Sequence, residues 1–350
     1  SVPSLVQEDG MELSILVLGQ GGKIAKDLIS KGFSVKILNA KPRIPNVHLI
    51  FTLSKILFQL KPEVVHTQGS EANFHGILAA RLIGVPQIIG EEIGLPNHHS
   101  YWKWIFRFVY KQANSVITIS DAVKQAIVRL GEVSKEKVKV VYNPVCLGGI
   151  GKREQGLEMR DERLEKREKR FVFITTCRLV PIKNLDRLIQ AFAGLVKGNP
   201  EREFLLRIVG EGTERENIEK EIREKGLENS VEILGFQSNV WPFLMEADAF
   251  VLPSLREGSS VSLAEAVTVG LPSIVTQVGG ANEILGESQS GFLINPLDTN
   301  SIQSAMQQML DLSKEERQTM GERAKKEAQR FSVDNYIKEL MNIYQSPISK

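Results

Sequence analysis

Short apolar runs alternate along this chain with stretches whose apolar positions recur every third or fourth residue. The first pattern is that of a buried strand, the second that of an amphipathic helix. Strands are expected at residues 14–18, 34–38, 64–66, 87–89, 115–119 and 138–141 in the first half. In the second half they are expected at 171–176, 205–209, 231–234, 249–252 and 273–276. Helical periodicity fills the intervals, for example at 24–30, 73–83 and 122–130. Repeated β-α units build parallel sheets with helices on both faces. The expected fold class is α/β, with two doubly wound halves. Ligands of such sheets bind beyond the carboxyl ends of the strands, so two halves facing each other would enclose a cleft.

Between the halves lies GGIGKREQGLEMRDERLEKREKR, residues 148–170, which is poor in large apolar side chains and dense in both charges. It reads as a solvated linker. The expected division is a first domain at 1–147, the linker, and a second domain at 171–332.

The first strand runs into LVLGQGGKIA, which raises the question of a dinucleotide-binding turn. Gly19 and Gly21 fit the glycine fingerprint, but Ile24 stands at its third position. The next strand leads into Asn39 and Ala40 rather than the acid that would hold a ribose. The stretch therefore reads as a tight β-α corner, and a nicotinamide enzyme is disfavoured.

Composition narrows the field further. Of 350 residues, 25% are charged and the net charge is +2, so no strong field points to nucleic acid. The two cysteines, Cys146 and Cys177, form neither a metal spacing nor a disulfide framework, which fits a reducing, cytoplasmic compartment. No apolar run reaches the ~18 residues of a membrane-spanning helix. The opening SVPSLVQEDGMEL lacks the pattern of a signal peptide.

Candidate chemistry gathers in the second half. Arg178 and Lys183 lie in CRLVPIKN, on a loop between the strand FVFITT and a helix that Asn184 is placed to cap. A guanidinium fork and an ammonium at a strand's carboxyl end suit a diphosphate. In PSLREGSSVSLAEAVTVGLP, the turn Gly258, Ser259 and Ser260 presents backbone N–H groups at a helix start, which suits an anion. Glu257 precedes that helix and Glu265 lies inside it; a carboxylate accepts two hydrogen bonds, as a pair of sugar hydroxyls requires. A third glycine turn, VGGANEI at 278–284, would close the same pocket.

These three clusters together resemble the donor half of the retaining glycosyltransferase family 4, and Glu257 and Glu265 match that family's E-x7-E motif. The pieces VGEG at 209–212, ILGF at 233–236, SVITIS at 115–120, VVYNPV at 140–145 and the terminal FSVDNYIKELMNIY agree with it. The resemblance implies the GT-B fold: two Rossmann-like domains around a cleft, with the last residues, 333–350, completing the first. It implies a nucleotide-sugar donor, UDP- or GDP-linked, held by the C-terminal domain, and a glycan or lipid-linked acceptor at the N-terminal domain. By motif, Arg178 and Lys183 would neutralise the leaving diphosphate, Glu257 would bind the donor sugar and Glu265 the nucleotide ribose. Gly258, Ser259, Ser260 and Gly210 would line the donor site. No cofactor or metal is implied, and the sugar would transfer with retention, in surface polysaccharide or lipopolysaccharide synthesis. His66 and Glu92 are the acceptor-side candidates; Glu92 stands near where many members carry a histidine.

Three expectations concern the first half. Gly10-Met11-Glu12 only faintly matches the family's opening loop, so the first β-α unit is expected to be lost or shortened. That keeps a second class of function open: a relative that binds the nucleotide-sugar without transferring it. The segment HHSYWKWIFRFVYKQ, residues 98–112, reads first as an amphipathic helix packed on a sheet with its cations outward. The alternative is a segment resting on an anionic membrane, at the inner face of the cell membrane.

Overall fold

The computed structural model describes residues 11–96, 101–146, 170–285 and 289–346. Of the expected linker only Arg170 is among them, and His98 and His99 lie outside them. The chain divides into two compact units, Ser1–Asn143 with Val333–Lys350, and Pro144–Ser332.

The first unit carries strands β1 (Ser14–Val17), β2 (Ser34–Ile37), β3 (Val64–Gln68), β4 (Gln87–Glu92), β5 (Ser115–Thr118) and β6 (Val138–Val140). Helices α1 (Lys23–Ser30), α2 (Val47–Leu60), α3 (Ser70–Leu82), α4 (Trp102–Gln112) and α5 (Asp121–Arg129) connect them. All strand pairings are parallel, but they form two sheets, β1-β2 and β3-β4-β5-β6. The unit thus departs from one continuous doubly wound sheet. Strand β4 is buried throughout, whereas β1 has no fully buried residue.

Helix α2 fills the interval between the second and third strands with a weaker helical period than its neighbours, for a physical reason. It turns Leu49, Leu53, Ile56 and Leu57 inward, yet Val47, Phe51 and Phe58 face solvent. Apolar side chains on both faces blur the helical period. Asn46 caps it, accepting from Leu49 N at 3.0 Å. Strand β4 runs past its expected end at residue 89, through Gly90, Glu91 and Glu92, because both acids find polar partners indoors. The C-terminal helix Val333–Tyr344 returns to this unit and packs Tyr336, Ile337 and Leu340 against Ile89, Ile117 and Val141. Burying each such aliphatic side chain contributes about 1.5–3 kcal/mol.

The second unit carries β7 (Phe171–Thr176), β8 (Phe204–Val209), β9 (Val231–Gly235), β10 (Ala249–Leu252), β11 (Ser273–Thr276) and β12 (Gly291–Ile294). Its helices are α6 (Leu185–Gly198), α7 (Arg215–Glu224), α8 (Trp241–Met245), α9 (Val261–Thr268), α10 (Ala281–Leu285), α11 (Thr299–Asp311) and α12 (Lys314–Glu327). One parallel sheet runs in the order β12-β11-β10-β7-β8-β9. Strands β10 and β11 are buried at every residue, as a sheet covered on both faces requires. Helix α6 buries Leu185, Leu188, Ile189, Phe192 and Leu195, one stripe at helical spacing. Strand β12, a short edge strand with its one fully buried residue at Ile294, was missed by the pattern.

The strand order reverses between β7 and β10. Successive units leave β7 towards β8 on one side, while β10 leads to β11 on the other. The two adjacent loops at that point diverge and leave a crevice.

Candidate functional site

The loops leaving β7 and β10 carry the cations and carboxylates singled out above. After β7 the chain passes Arg178 and enters a short 3-10 turn, Pro181–Lys183. Lys183 Nζ lies 2.6 Å from Glu257 Oε2, and both side chains are largely buried. The two loops are also tied by backbone, Leu255 N donating to Ile182 O at 2.9 Å.

Asn184 corrects an expectation. It precedes α6 but makes no side-chain cap; its backbone is left-handed, at φ 58°. Its Nδ2 donates instead to Pro253 O at 3.0 Å and to Pro296 O at 2.7 Å. Its Oδ1 accepts from Arg187 Nη1 at 2.8 Å. One buried amide thus binds together the loops that follow β7, β10 and β12. Asparagine tolerates left-handed backbone better than most residues, which reconciles the turn with the staple.

Glu257 is held from a third side. Gly279 has φ 70°, and a Cβ there would collide with the Glu257 carbonyl, to which Gly280 N donates at 3.3 Å. Gly210 plays a matching part between β7 and β8: it has φ 151°, and a Cβ would strike the Cys177 carbonyl. Both positions admit only glycine.

Ser260 caps α9, its Oγ accepting from Leu263 N at 3.2 Å, so this hydroxyl is already engaged. Gly258 and Ser259 lead into that helix start, half-buried. Inside α9, Glu265 has no side-chain partner among the described residues, and burial pushes its carboxyl up to about 7. Arg178 is exposed, also without a side-chain partner among them. Burial pushes the Cys177 thiol up to about 11, so it stays protonated beside Lys183.

Sequence reasoning missed three hydroxyls. Thr176 Oγ1, Ser254 Oγ and Thr276 Oγ1 are buried without a hydrogen-bond partner among the described residues. They stand at the carboxyl ends of the neighbouring strands β7, β10 and β11, or just beyond them. Such a group costs about 1–3 kcal/mol unless something polar satisfies it.

The acceptor-side candidates lie in the other unit and do not pair with each other. His66, on β3, shares a 2.7 Å hydrogen bond with Tyr344 of the C-terminal helix through Nδ1. Its Nε2 stands 3.1 Å from Glu91 Oε2, at ion-pair distance but off the line of a hydrogen bond. Glu92 points to the opposite side of β4, where Tyr110 Oη donates to it at 2.6 Å and Asn73 Nδ2 at 3.2 Å. Burial, with Glu92 alongside, drives the Tyr110 hydroxyl well above its ordinary value, so it remains a donor. Glu92 is therefore a buried member of this network, and Glu91 is the acid beside His66. Among the described residues, no three His, Cys, Asp or Glu side chains gather as metal ligands.

A family described as Glycosyl transferases group 1 matches residues 158–327, and one described as Glycosyltransferase Family 4 matches residues 5–148. The chain belongs to glycosyltransferase family 4. A relative from Escherichia coli, the UDP-Gal:alpha-D-GlcNAc-diphosphoundecaprenol alpha-1,3-galactosyltransferase, is 27% identical over 276 residues, 77% of this chain and 71% of that protein. A glycosyltransferase structure from Rickettsia africae ESF-5 superposes with TM-score 0.79 at 18% identity, over 95% of this chain and 89% of the other. The structure of Anabaena Alr3699/HepE in complex with UDP superposes with TM-score 0.77 at 20% identity, over 94% of this chain and 99% of the other. These likenesses identify the fold of this family 4 glycosyltransferase as GT-B.

Proposed function

We propose that this glycosyltransferase moves a sugar, with retention at the anomeric carbon, from a UDP- or GDP-linked donor to a glycan or lipid-linked acceptor. The observation that carries the reading is the Lys183–Glu257 pair at the reversal point of the second unit's sheet. A donor diphosphate arriving there offers Lys183 a second anion, and Arg178 is available as a fork donor. As Lys183 turns to the phosphate, Glu257 is released to accept from the donor sugar's hydroxyls. Glu265 accepts from the ribose hydroxyls, and the N–H groups of Gly258, Ser259 and Ser260 meet phosphate or sugar. The three buried hydroxyls of Thr176, Ser254 and Thr276 support a polar occupant at this end of the sheet.

In the transfer step the bond between the anomeric carbon and the phosphate oxygen breaks. The acceptor oxygen attacks from the same face and forms the new bond. The acceptor's proton passes to the departing phosphate oxygen. Arg178 and Lys183 stabilise the negative charge as it develops, without a metal ion. The Escherichia coli relative is named for a UDP-sugar and a diphosphoundecaprenol acceptor, which supports a UDP-linked donor and a lipid-linked acceptor. The proposed setting is polysaccharide or lipopolysaccharide synthesis at the inner face of the cell membrane.

The separation of β1-β2 from β3-β4-β5-β6 favours a second reading, donor binding without transfer. A thermal-shift screen against UDP- and GDP-sugars tests donor binding, since a ligand of the folded state raises stability by RT ln(1 + [L]/Kd). Product analysis with the best donor then separates the two readings. A stabilising donor that is neither hydrolysed nor transferred would select the binding-only one, and no stabilising donor would remove both.

A further inference from the structure

The Lys183–Glu257 pair is closed on itself. Among the described residues the Glu257 carboxylate has no hydrogen-bond or ion-pair partner but the Lys183 ammonium, and the ammonium none but the carboxylate. The side chains are only 14% and 11% exposed, so water and salt screen the contact poorly. Among the described residues the neighbouring groups offer Glu257 no replacement. The Asn184 amide is committed to the Pro253 and Pro296 carbonyls. The Cys177 thiol beside the pair is kept neutral by burial. Arg178, exposed on the same loop, makes neither a hydrogen bond nor an ion pair with Glu257.

The backbones beneath the pair are fixed. Lys183 N donates to Val180 O at 2.9 Å, and Leu255 N to Ile182 O at 2.9 Å. Gly280 N donates to Glu257 O at 3.3 Å, and a Cβ at Gly279 would collide with that carbonyl. The contact can therefore open with both loops in place, by rotation of the side chains and chiefly along the flexible stem of the lysine.

We infer that Lys183 and Glu257 act as one switch that couples recognition of the diphosphate to recognition of the sugar, so that the site favours the intact donor over the nucleoside diphosphate left after transfer. This rests on the donor reading proposed above and adds a regulation of that same site. A diphosphate entering alone sets two anions against one ammonium. If Lys183 goes to the phosphate, Glu257 is left buried, uncompensated and close to a like charge. If Lys183 stays, the phosphate lacks its point charge. An intact donor removes the conflict. Its sugar hydroxyls donate to the carboxylate while the ammonium turns to the phosphate, both as charge-assisted bonds. Once the sugar has left on the acceptor, the conflict returns; Lys183 closes on Glu257 again and the nucleoside diphosphate departs. Glu257 thus determines specificity twice, in favour of the donor and against the product.

Calorimetric titration of the full chain tests the switch. The ligands are the donor that stabilises the protein most in the thermal-shift screen and the nucleoside diphosphate that remains when its sugar is removed. In Glu257→Gln no carboxylate competes for Lys183, so the nucleoside diphosphate should bind about tenfold or more tightly than to wild type. The intact donor should gain nothing, because it loses a charge-assisted bond from its hydroxyls as it meets a free ammonium. Wild type supplies a second measurement, which stands even if the variant fails to fold. The free monosaccharide of that donor, in large excess, should tighten nucleoside diphosphate binding several-fold, since its hydroxyls again satisfy Glu257, and by linkage the effect is reciprocal. Equal weakening of both ligands in Glu257→Gln would make Glu257 a mere brace for Lys183 and overturns the inference. Weakening of the donor alone overturns it too, because the two recognitions would then be independent, as does a wild-type affinity indifferent to the monosaccharide. Binding of neither ligand is a different result, which removes the donor reading itself and the switch with it.

Discussion

Lys183 and Glu257 lie 74 residues apart in sequence and 2.6 Å apart in space, joined across the point where the second unit's strand order reverses. The pair is largely withdrawn from water, and removing one partner from such a pair strands the other charge. Lys183→Met or Glu257→Gln alone should cost about 3–5 kcal/mol, a fall in melting temperature on the order of 10 °C for a unit of this size. The double variant should recover most of that loss while remaining unable to transfer sugar. A double-mutant cycle by thermal melting reads the coupling; additive losses would mean that the two side chains do not act as a pair.

Glu265 gives the site a pH dependence whose sign can be worked out. Burial raises its folded-state value from 4.5 to about 7, so between those limits the folded protein holds a proton that the unfolded chain has released. Stability from this group is therefore greatest in acid and falls by roughly 3 kcal/mol as the pH rises from about 4.5 through about 7, where the loss is complete. Glu265→Gln should flatten that slope in urea titrations run from acid to neutral pH. Donor binding should run the other way. Ribose hydroxyls donate to the ionised carboxylate, so donor affinity should weaken by up to tenfold per pH unit below about 7. A donor Kd that is flat across this range would remove Glu265 from the ribose site.

Asn184 should matter through the loops it joins. Asn184→Ala removes the donors to the Pro253 and Pro296 carbonyls and leaves both oxygens buried. The expected loss is roughly 2–4 kcal/mol of stability. Asn184→Gly keeps the left-handed backbone at ease but lacks the same donors, so it should recover only a part. Both variants should also lower turnover, because the loops bearing Lys183 and Glu257 lose their common anchor. If Asn184→Gly melts and turns over like wild type, the left-handed turn and not the amide is what the site requires.

The contrast between Asn184 and Lys183 shows where sequence reasoning reached its limit. Strands such as Phe171–Thr176 and Ala249–Leu252 were legible to the residue, because a sheet covered on both faces demands unbroken apolar runs. Lys183 and Glu257 were legible as site candidates because loops at strand ends carry them. Their direct pairing was not, since it depends on strand order, which no local pattern records. Asn184 has the type of a cap and sits at the position of one; only the approach of Pro253 and Pro296 diverts its amide. The expected strand at 87–89 stopped short of Glu91 and Glu92; acids are seldom buried, and the partners that let these be, Gln68, Asn73 and Tyr110, come from other elements. Helix α2 is harder to delimit for the opposite reason, with apolar side chains on faces that the periodicity rule reserves for polar ones.

Arg178 supplies the sharpest separation of catalysis from stability. It is exposed on the loop after β7 and has no side-chain partner among the described residues, so Arg178→Ala should leave the melting curve within about 0.5 kcal/mol of wild type. If its guanidinium meets the developing charge on the departing diphosphate, the same variant should lose roughly a hundred- to a thousandfold in kcat, with a smaller effect on donor affinity. Arg178→Lys should restore only part, because an ammonium cannot present the planar fork. Excess chelator should leave wild-type turnover unchanged, as expected where Arg178 and Lys183 supply the positive charge. Turnover that collapses with chelator and returns with a divalent cation would transfer that role to a metal. An Arg178→Ala enzyme of normal kcat would take Arg178 out of the reaction.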